Sequence, residues 1–267
     1  MKRNVIAALF FLVSLTMASC SKFTNGDPVT ERRNVSGRFT TICMYNNVNV
    51  NLIRSDHPHL ELTCPKNLIE KVTTEVRGDS LVIKNENDFN WLRPYDYDID
   101  LDVYYDSLRE ITYASIGRLT CNDSLRGYSA LSVDTIAIGL DSIGNVIDSI
   151  DTHWSRNFVL RIHEGSGDIS LCLNCDIMKT VFSFGTSKVD LRGYAGYTEH
   201  YLKSYGTVHA ENLYSNLVSV SSESTNDIYV WANSKLTVRI YSIGNVYYKG
   251  HPWIEKHLHG EGQVIPL

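Results

Sequence analysis

Beyond its first twenty residues the chain has no segment apolar enough to span a bilayer as a helix, and convincing amphipathic helix patterns are scarce. Basic residues do not predominate either: 25 Lys and Arg stand against 30 Asp and Glu. That balance excludes electrostatic collection of nucleic acid. No second Cys pair accompanies Cys172-x-x-Cys175, and no nearby His spacing completes a tetrahedral zinc site. The two thiols therefore read as small buried hydrophobes. No Gly-rich phosphate cradle or nucleophile elbow is present, because no helix pattern follows the glycines.

What the chain does have begins with an export signal. Lys2 and Arg3 precede an apolar run from Val5 to Leu15, too short for a membrane helix. Met17-Ala18-Ser19-Cys20 follows, and this arrangement resembles a bacterial lipobox with Met in place of the usual Leu. Residues 1–19 read as a lipoprotein signal peptide, Cys20 as the lipidated first residue, and 20–34 as a polar tether. Lys22 stands where an Asp would favour inner-membrane retention, which points to the outer membrane, on its cell-surface or periplasmic side. Loss of Lys2 and Arg3 with the signal takes the net charge from −5 to about −7. The membrane, through the N-terminal lipid, is one expected partner, and nucleic acid is not. Cys43, Cys64, Cys121, Cys172 and Cys175 remain, an odd number that leaves at least one free thiol in an oxidising compartment.

Runs of Val, Ile, Thr and Tyr predict strands: Phe39 to Tyr45, Val48 to Ile53, Leu60 to Cys64, Thr73 to Arg77 and Leu81 to Lys84. Asn46-Asn47 supplies residues tolerant of the left-handed region, and Asn67 is a candidate cap for a short helical turn. Arg77-Gly78-Asp79 reads as a hairpin turn. Between Tyr95 and Val103, Tyr95, Tyr97, Ile99, Leu101 and Val103 share one face. Asp96, Asp98, Asp100 and Asp102 share the other, predicted to be solvated and to discourage edge pairing.

The dominant pattern is a small-x-Gly phrase followed by a polar and then an aliphatic residue. It centres on Gly117, Gly144, Gly167, Gly185, Gly206, Gly244 and Gly262, at spacings of 27, 23, 18, 21, 38 and 18. Asn226 in Ser224-Thr225-Asn226 divides the longest gap. A period near twenty predicts stacked coils, each with a turn of positive φ at the Gly or Asn and a short strand with inward apolar residues. Asn145, Asn226 and Asn245 are placed to bond between coils.

Here the chain resembles the bacterial family described as "putative auto-transporter adhesin, head GIN domain". The resemblance is carried by Phe39 to Ile42, Val48 to Leu52, Asn67-Leu68, Leu81 to Ile83, Ser107 to Gly117 and above all Leu236 to Pro252. It implies an all-β, right-handed parallel β-helix-like solenoid of pectin-lyase type over 35–267. An N-terminal strand-rich lobe is expected, with sub-lobes at 35–125 and 126–267. It also implies a role in adhesion at the cell surface. The chain departs from the pattern at Glu223 to Asn226 and over the irregular stretch 123–160.

Three functions follow as expectations. The first is a non-catalytic envelope lipoprotein that binds glycan or protein through exposed aromatics, with Tyr194, Tyr197, Tyr201, Tyr205, Tyr241, Tyr247, Tyr248 and Trp253 as candidates. The second is a periplasmic structural or sensing lipoprotein with a protein partner. The third is a polysaccharide lyase or hydrolase, for which Asp168, Asp190, Arg192 and His209 would supply the groups. No signature motif supports the third, so no catalytic residue, metal or cofactor is expected. His57, His59, His251, His257 and His259 read as surface histidines. Asp-Ser/Thr-aliphatic triplets such as Asp79-Ser80-Leu81 and Asp123-Ser124-Leu125 read as turn chemistry, and also resemble an O-glycosylation acceptor pattern.

Overall fold

Alternation of apolar and polar residues makes almost every segment of this chain a strand with one buried edge of side chains. In the computed structural model the chain is described over residues 25–88, 97–140 and 146–267. Its strands are β1 (Pro28–Asn34), β2 (Thr41–Asn46), β3 (Asn49–Arg54), β4 (His59–Pro65), β5 (Val72–Arg77) and β6 (Ser80–Asn85). They continue as β7 (Asp100–Tyr105), β8 (Glu110–Ser115), β9 (Leu119–Arg126), β10 (Tyr128–Leu140), β11 (Val146–Gly165) and β12 (Ile169–Phe182). The last are β13 (Lys188–Leu202), β14 (Thr207–Ser222), β15 (Ile228–Ile240), β16 (Val246–Lys249), β17 (Trp253–Leu258) and β18 (Val264–Pro266). All belong to one curled sheet, and the single helical turn among the described residues is Ile69–Lys71.

From β11 to β16 each strand lies parallel on the next, in tiers, with β17 on β15 and β18 on β16. Ile169 faces Val189, which faces Val208, then Ile228, Val246 and Val264. The column continues downward through Leu119, Val50 and Leu101. All of these but Val264 are buried, each stabilising the stack by roughly 1.5–3 kcal/mol. Bonding between tiers also satisfies the backbone groups that a lone strand would leave open.

The glycine spacings follow the tiers only in part. Leu119 stacks directly on Ile169, so one step spans the whole stretch that includes Gly144. The intervening chain leaves the stack as an antiparallel hairpin in which β10 pairs with β11, Tyr128 opposite Asn157 and Leu140 opposite Val146. Gly144 lies between those strands, outside the described residues. At the hairpin root the Asp176 carboxylate accepts from the Arg156 backbone N–H at 2.7 Å and from its guanidinium at 2.9 Å. That hydrogen bond raises the Arg156 pKa above its ordinary value. The irregularity of 123–160 is thus an insertion between two tiers. Tiers also depart from chain order, since β6 and β7 stack on one side of β2 and β3 while β8 and β9 stack on the other, where Val50 meets Leu119.

Several local expectations are corrected. Pro28–Asn34, assigned by composition to the tether, is strand β1, antiparallel to β4. Strands β8 and β9 pair with β11 and β12, so 35–125 and 126–267 share one sheet. The cap of the helical turn is Leu68, without a side-chain hydrogen bond, not Asn67. Asp100 and Asp102 sit on β7, which is flanked by β3 and β4 and is no exposed edge. Their carboxylates accept from Asn49 Nδ2 and Asn51 Nδ2, each at 2.9 Å. Tyr95 and Asp96 lie outside the described residues.

The turn conformation expected at the corners is likewise revised. Among the corner glycines, Gly185 has positive φ, at 115°, whereas Gly117, Gly167, Gly206, Gly244, Gly262 and Asn226 do not. What Gly117 and its counterparts supply is room. A β-carbon on Gly244 would lie 2.3 Å from the Asn226 carbonyl oxygen of the tier below. The Ser of the phrase closes the turn by accepting from the backbone two residues on, Gly117 N to Ser115 Oγ and Asn226 N to Ser224 Oγ, both at 3.0 Å. Asn46 is the one non-glycine with positive φ among the described residues, as its type allows.

Candidate functional site

Register between tiers gathers aromatic side chains that are far apart in sequence onto one outer face. His209 in β14 lies opposite Tyr229 in β15, which lies opposite Tyr247 in β16. Their rings stack nearly parallel, with centroids 4.8 Å and 5.0 Å apart. A second column runs beside it through Tyr194, Tyr214, Trp231 and Lys249. Tyr194 stacks on Tyr214 at 6.0 Å, and Tyr214 meets Trp231 edge-on at 5.2 Å. Lys249 Nζ sits 4.0 Å from the Trp231 ring centre, a cation over an indole face. Tyr229 and Trp231 are two residues apart on β15, so the columns lie about 6.5–7 Å from each other.

A bulge makes this possible. The register shifts in β14 between Ala210 and Tyr214, while β15 advances only from Val230 to Trp231. The extra residues Glu211-Asn212-Leu213 carry Tyr214 far enough to face Trp231. They also place Glu211 Oε1 3.5 Å from His209 Nδ1. The other oxygen, Glu211 Oε2, is enclosed without a hydrogen-bond partner among the described residues. Burial raises the Tyr229 pKa, and Asp227, Tyr247 and Glu211 add to the shift. The strip is thus a set of phenols, an imidazole and an indole, bordered by one cation, with the enclosed Glu211 carboxylate beneath His209. Such a surface suits an elongated ligand that offers hydroxyl donors and flat C–H faces.

Polar ladders flank the strip. Asp227 Oδ1 accepts from the Asn245 backbone N–H at 2.8 Å and its amide at 3.1 Å, and Asn245 Oδ1 accepts from Gln263 N at 2.9 Å. Asn226 donates its amide to the Tyr205 carbonyl. Of the three asparagines read as inter-coil bonds, Asn145 lies outside the described residues.

The candidate aromatics divide among several surfaces. Tyr194 and Tyr247 belong to the strip. Tyr197 and Tyr201 lie on the other broad face, where Tyr201 donates to Glu223 at 3.2 Å. Trp253 lies there too, beneath Lys235 Nζ at 4.9 Å. Tyr205 and Tyr241 are exposed at the corners, Tyr241 stacked on His259 at 5.0 Å, and Tyr248 packs on the core. His209, Tyr214, Tyr229 and Trp231 complete the strip. The signal for them was the tier step itself, which drops from twenty to seventeen residues across the bulge.

Of the groups assembled for polysaccharide chemistry, Asp190, Arg192 and His209 have structural partners. Asp190 pairs with Lys188 at 3.1 Å, and Arg192 donates to Ser170 at 3.1 Å and Asn122 at 3.3 Å. His209 is held between Glu211 and Tyr229, and the Asp168 carbonyl accepts from Leu119 N at 2.9 Å. Cys172 points outward and Cys175 inward on β12, so the pair cannot close on one ion or one redox site. His57 and His59 meet through a 2.8 Å ring-to-carbonyl contact, and His59 stacks on Tyr104 at 4.0 Å. No group of three metal-ligating side chains occurs among the described residues. Cys20 lies outside them. Arg77-Gly78-Asp79 forms the hairpin turn between β5 and β6, with Asp79 bound by Arg109 at 2.8 Å.

A family model described as "Putative auto-transporter adhesin, head GIN domain" matches residues 38–252. No curated protein matches the chain. A structure described as a putative adhesin from Bacteroides fragilis is similar at TM-score 0.73 and 18% identity, covering 91% of this chain and 99% of that one. A structure described as a putative lipid binding protein from Parabacteroides distasonis is similar at TM-score 0.62 and 17% identity, covering 91% and 98%. A putative adhesin from Parabacteroides merdae gives TM-score 0.54 at 17% identity, again covering 91% and 98%. At these identities the likeness is one of fold.

Proposed function

The chain belongs to the family described as putative auto-transporter adhesin, head GIN domain, and on that premise we propose that it is a non-catalytic, adhesin-like binding module of the cell envelope that grips a glycan along the aromatic strip. The observation that carries this reading is the strip itself: His209, Tyr229 and Tyr247 beside Tyr214, Trp231 and Lys249. Stacked rings present hydroxyl-bearing rims at a repeat near 5 Å, and the Lys249 ammonium beside Trp231 donates to sugar hydroxyls. Parallel tiers with a step of 18 to 20 residues support a right-handed solenoid as the scaffold. The lipobox-like Met17 to Cys20 supports cleavage after residue 19 and lipidation at Cys20, and Lys22 in place of Asp supports an outer-membrane address.

The test is a screen of envelope and host glycans against the purified chain and its Tyr229→Ala/Trp231→Ala variant. Binding by the parent and its loss in the variant, with the thermal transition kept, is the expected outcome. Turnover of any glycan, abolished by Asp190→Ala, would replace this reading with the enzymatic one. Recovery of one stoichiometric protein from membranes, with no glycan retained, would replace it with the sensing role.

A further inference from the structure

The middle residue of the small-x-Gly phrase is a large apolar side chain bare to solvent at four corners. Ile116 is 60% exposed, Phe184 63%, Tyr205 60% and Ile243 57%. Nothing about the turn requires this, because Ser166, Thr225 and Glu261 occupy the same place at other corners. Each exposed side chain forgoes stabilisation that burial would provide. Single exposed apolar residues are ordinary, but a row of them on one edge is not.

Hydrogen bonds between corners establish the row. Ser115 Oγ donates to the Asn46 carbonyl at 2.5 Å, Ser166 N to the Ser115 carbonyl at 3.3 Å and Thr186 N to the Gly165 carbonyl at 2.8 Å. Ser204 Oγ then donates to the Gly185 carbonyl at 2.5 Å, and Asn226 to the Tyr205 carbonyl. Gly244 N reaches the Ser224 carbonyl at 3.2 Å and Gly262 N the Ser242 carbonyl at 3.1 Å. The exposed side chains therefore project from one continuous edge of the stack.

The chain's N-terminal segment meets the fold at the same edge. Asn67 N donates to the Asn25 carbonyl at 3.3 Å, and the adjoining Leu68 carbonyl accepts from Asn87 at 2.9 Å. Asn87 bonds Asn85 at 2.8 Å, and the Asn85 carbonyl accepts from Asn46 at 2.8 Å, the first corner of the row. Cys20 precedes Asn25 by five residues, a reach of at most about 18 Å of extended chain. Whatever surface holds a lipid on Cys20 is thus within reach of this edge.

We infer that the corner edge rests on the lipid bilayer, with Ile116, Phe184, Tyr205 and Ile243 seated in its interfacial layer, so that the stack lies along the membrane and the aromatic strip on the flanking face stays clear. The inference rests on the reading of Cys20 as lipidated. Lipid is favoured over a protein occupant because the anchor holds the edge at the bilayer. Flanking charges are mixed, Arg118 and Lys203 against Glu223 and Glu261. Contact is therefore apolar and independent of anionic lipid.

The test uses the full chain, processed in cells and reconstituted in phosphatidylcholine vesicles brominated in the upper acyl chain. Phe184→Trp reports the edge, and Asn233→Trp reports the opposite, exposed corner. Intact mass of the same preparation reports the lipid on Cys20. The expected result is a lipid-bearing chain in which Phe184→Trp loses emission relative to the parent while Asn233→Trp does not. A lipid-bearing chain with no added quenching of Phe184→Trp, or equal quenching of both variants, overturns the inference and leaves the lipidation reading intact. A chain without lipid mass overturns both. Cross-linking of the edge to itself in unquenched vesicles assigns it instead to a second copy.

Discussion

Gly117 lies against the Val48 backbone so closely that a β-carbon there would stand 2.0 Å from the Val48 carbonyl oxygen. The two belong to stacked tiers far apart in sequence, so the contact is tertiary and has no relief by a local turn. Gly117→Ala is expected to lower stability by about 1–3 kcal/mol or more, because the tiers must part. Asn226→Gly, at the equivalent corner, is expected to change stability by only about 1 kcal/mol, the net worth of the lost amide bond to Tyr205. Urea midpoints of the two variants check the contrast. Equal losses would mean that the corners depend on turn conformation, not on spacing.

His200 is fully buried, its Nδ1 3.2 Å from Thr180 Oγ1 and its Nε2 without a partner among the described residues. Burial lowers its pKa from 6.5 to about 4. The folded state then resists a proton that the unfolded chain accepts. Stability from the neutral ring is complete above pH 6.5 and declines as pH falls toward 4, by about 3 kcal/mol in all. His200→Leu is expected to flatten the fall in melting temperature between pH 7 and pH 4.5. An unchanged slope would place the acid sensitivity elsewhere.

Cys64, Cys121 and Cys175 are buried, and burial pushes their pKa values to about 11, 11 and 12. Thiol labelling of the native chain at pH 8 is expected to stop at the half-buried Cys43 and Cys172, and to reach the other three only in denaturant. Peptide mapping of the label decides. Rapid native labelling of Cys175 would contradict the inward orientation of β12.

Much of the scaffold was legible because its signals are local. The inward positions of Ile99, Leu101 and Val103 follow from alternation alone, and the small-x-Gly phrase falls between consecutive strands at Gly117, Gly167, Gly185, Gly206, Gly244 and Gly262. Tier order was not legible. Gly144 fits the same phrase but lies between the strands of the inserted hairpin, and the β2–β3 tier lies between β6–β7 and β8–β9, out of chain order. Composition does not distinguish a tier from a hairpin, since both are alternating strands. The aromatic strip was half visible for a related reason. Tyr214 and Trp231 face each other only through the bulge at Glu211 to Leu213, which breaks the twenty-residue step. Of the exposed corner residues only Tyr205 carries a sequence signal, as one of the candidate aromatics, because the glycine, not its neighbour, carries the repeat.

The strip is tested most directly by the indole N–H resonances of the four tryptophans, recorded while a glycan recovered from the binding screen is added to the parent chain. The expected result is a saturable shift of the Trp231 signal with Trp253, on the other broad face, unmoved, and no shift of any indole in Tyr229→Ala. Saturable binding that leaves Trp231 in place, or that moves Trp253 instead, would contradict the assignment of the aromatic strip as the ligand surface.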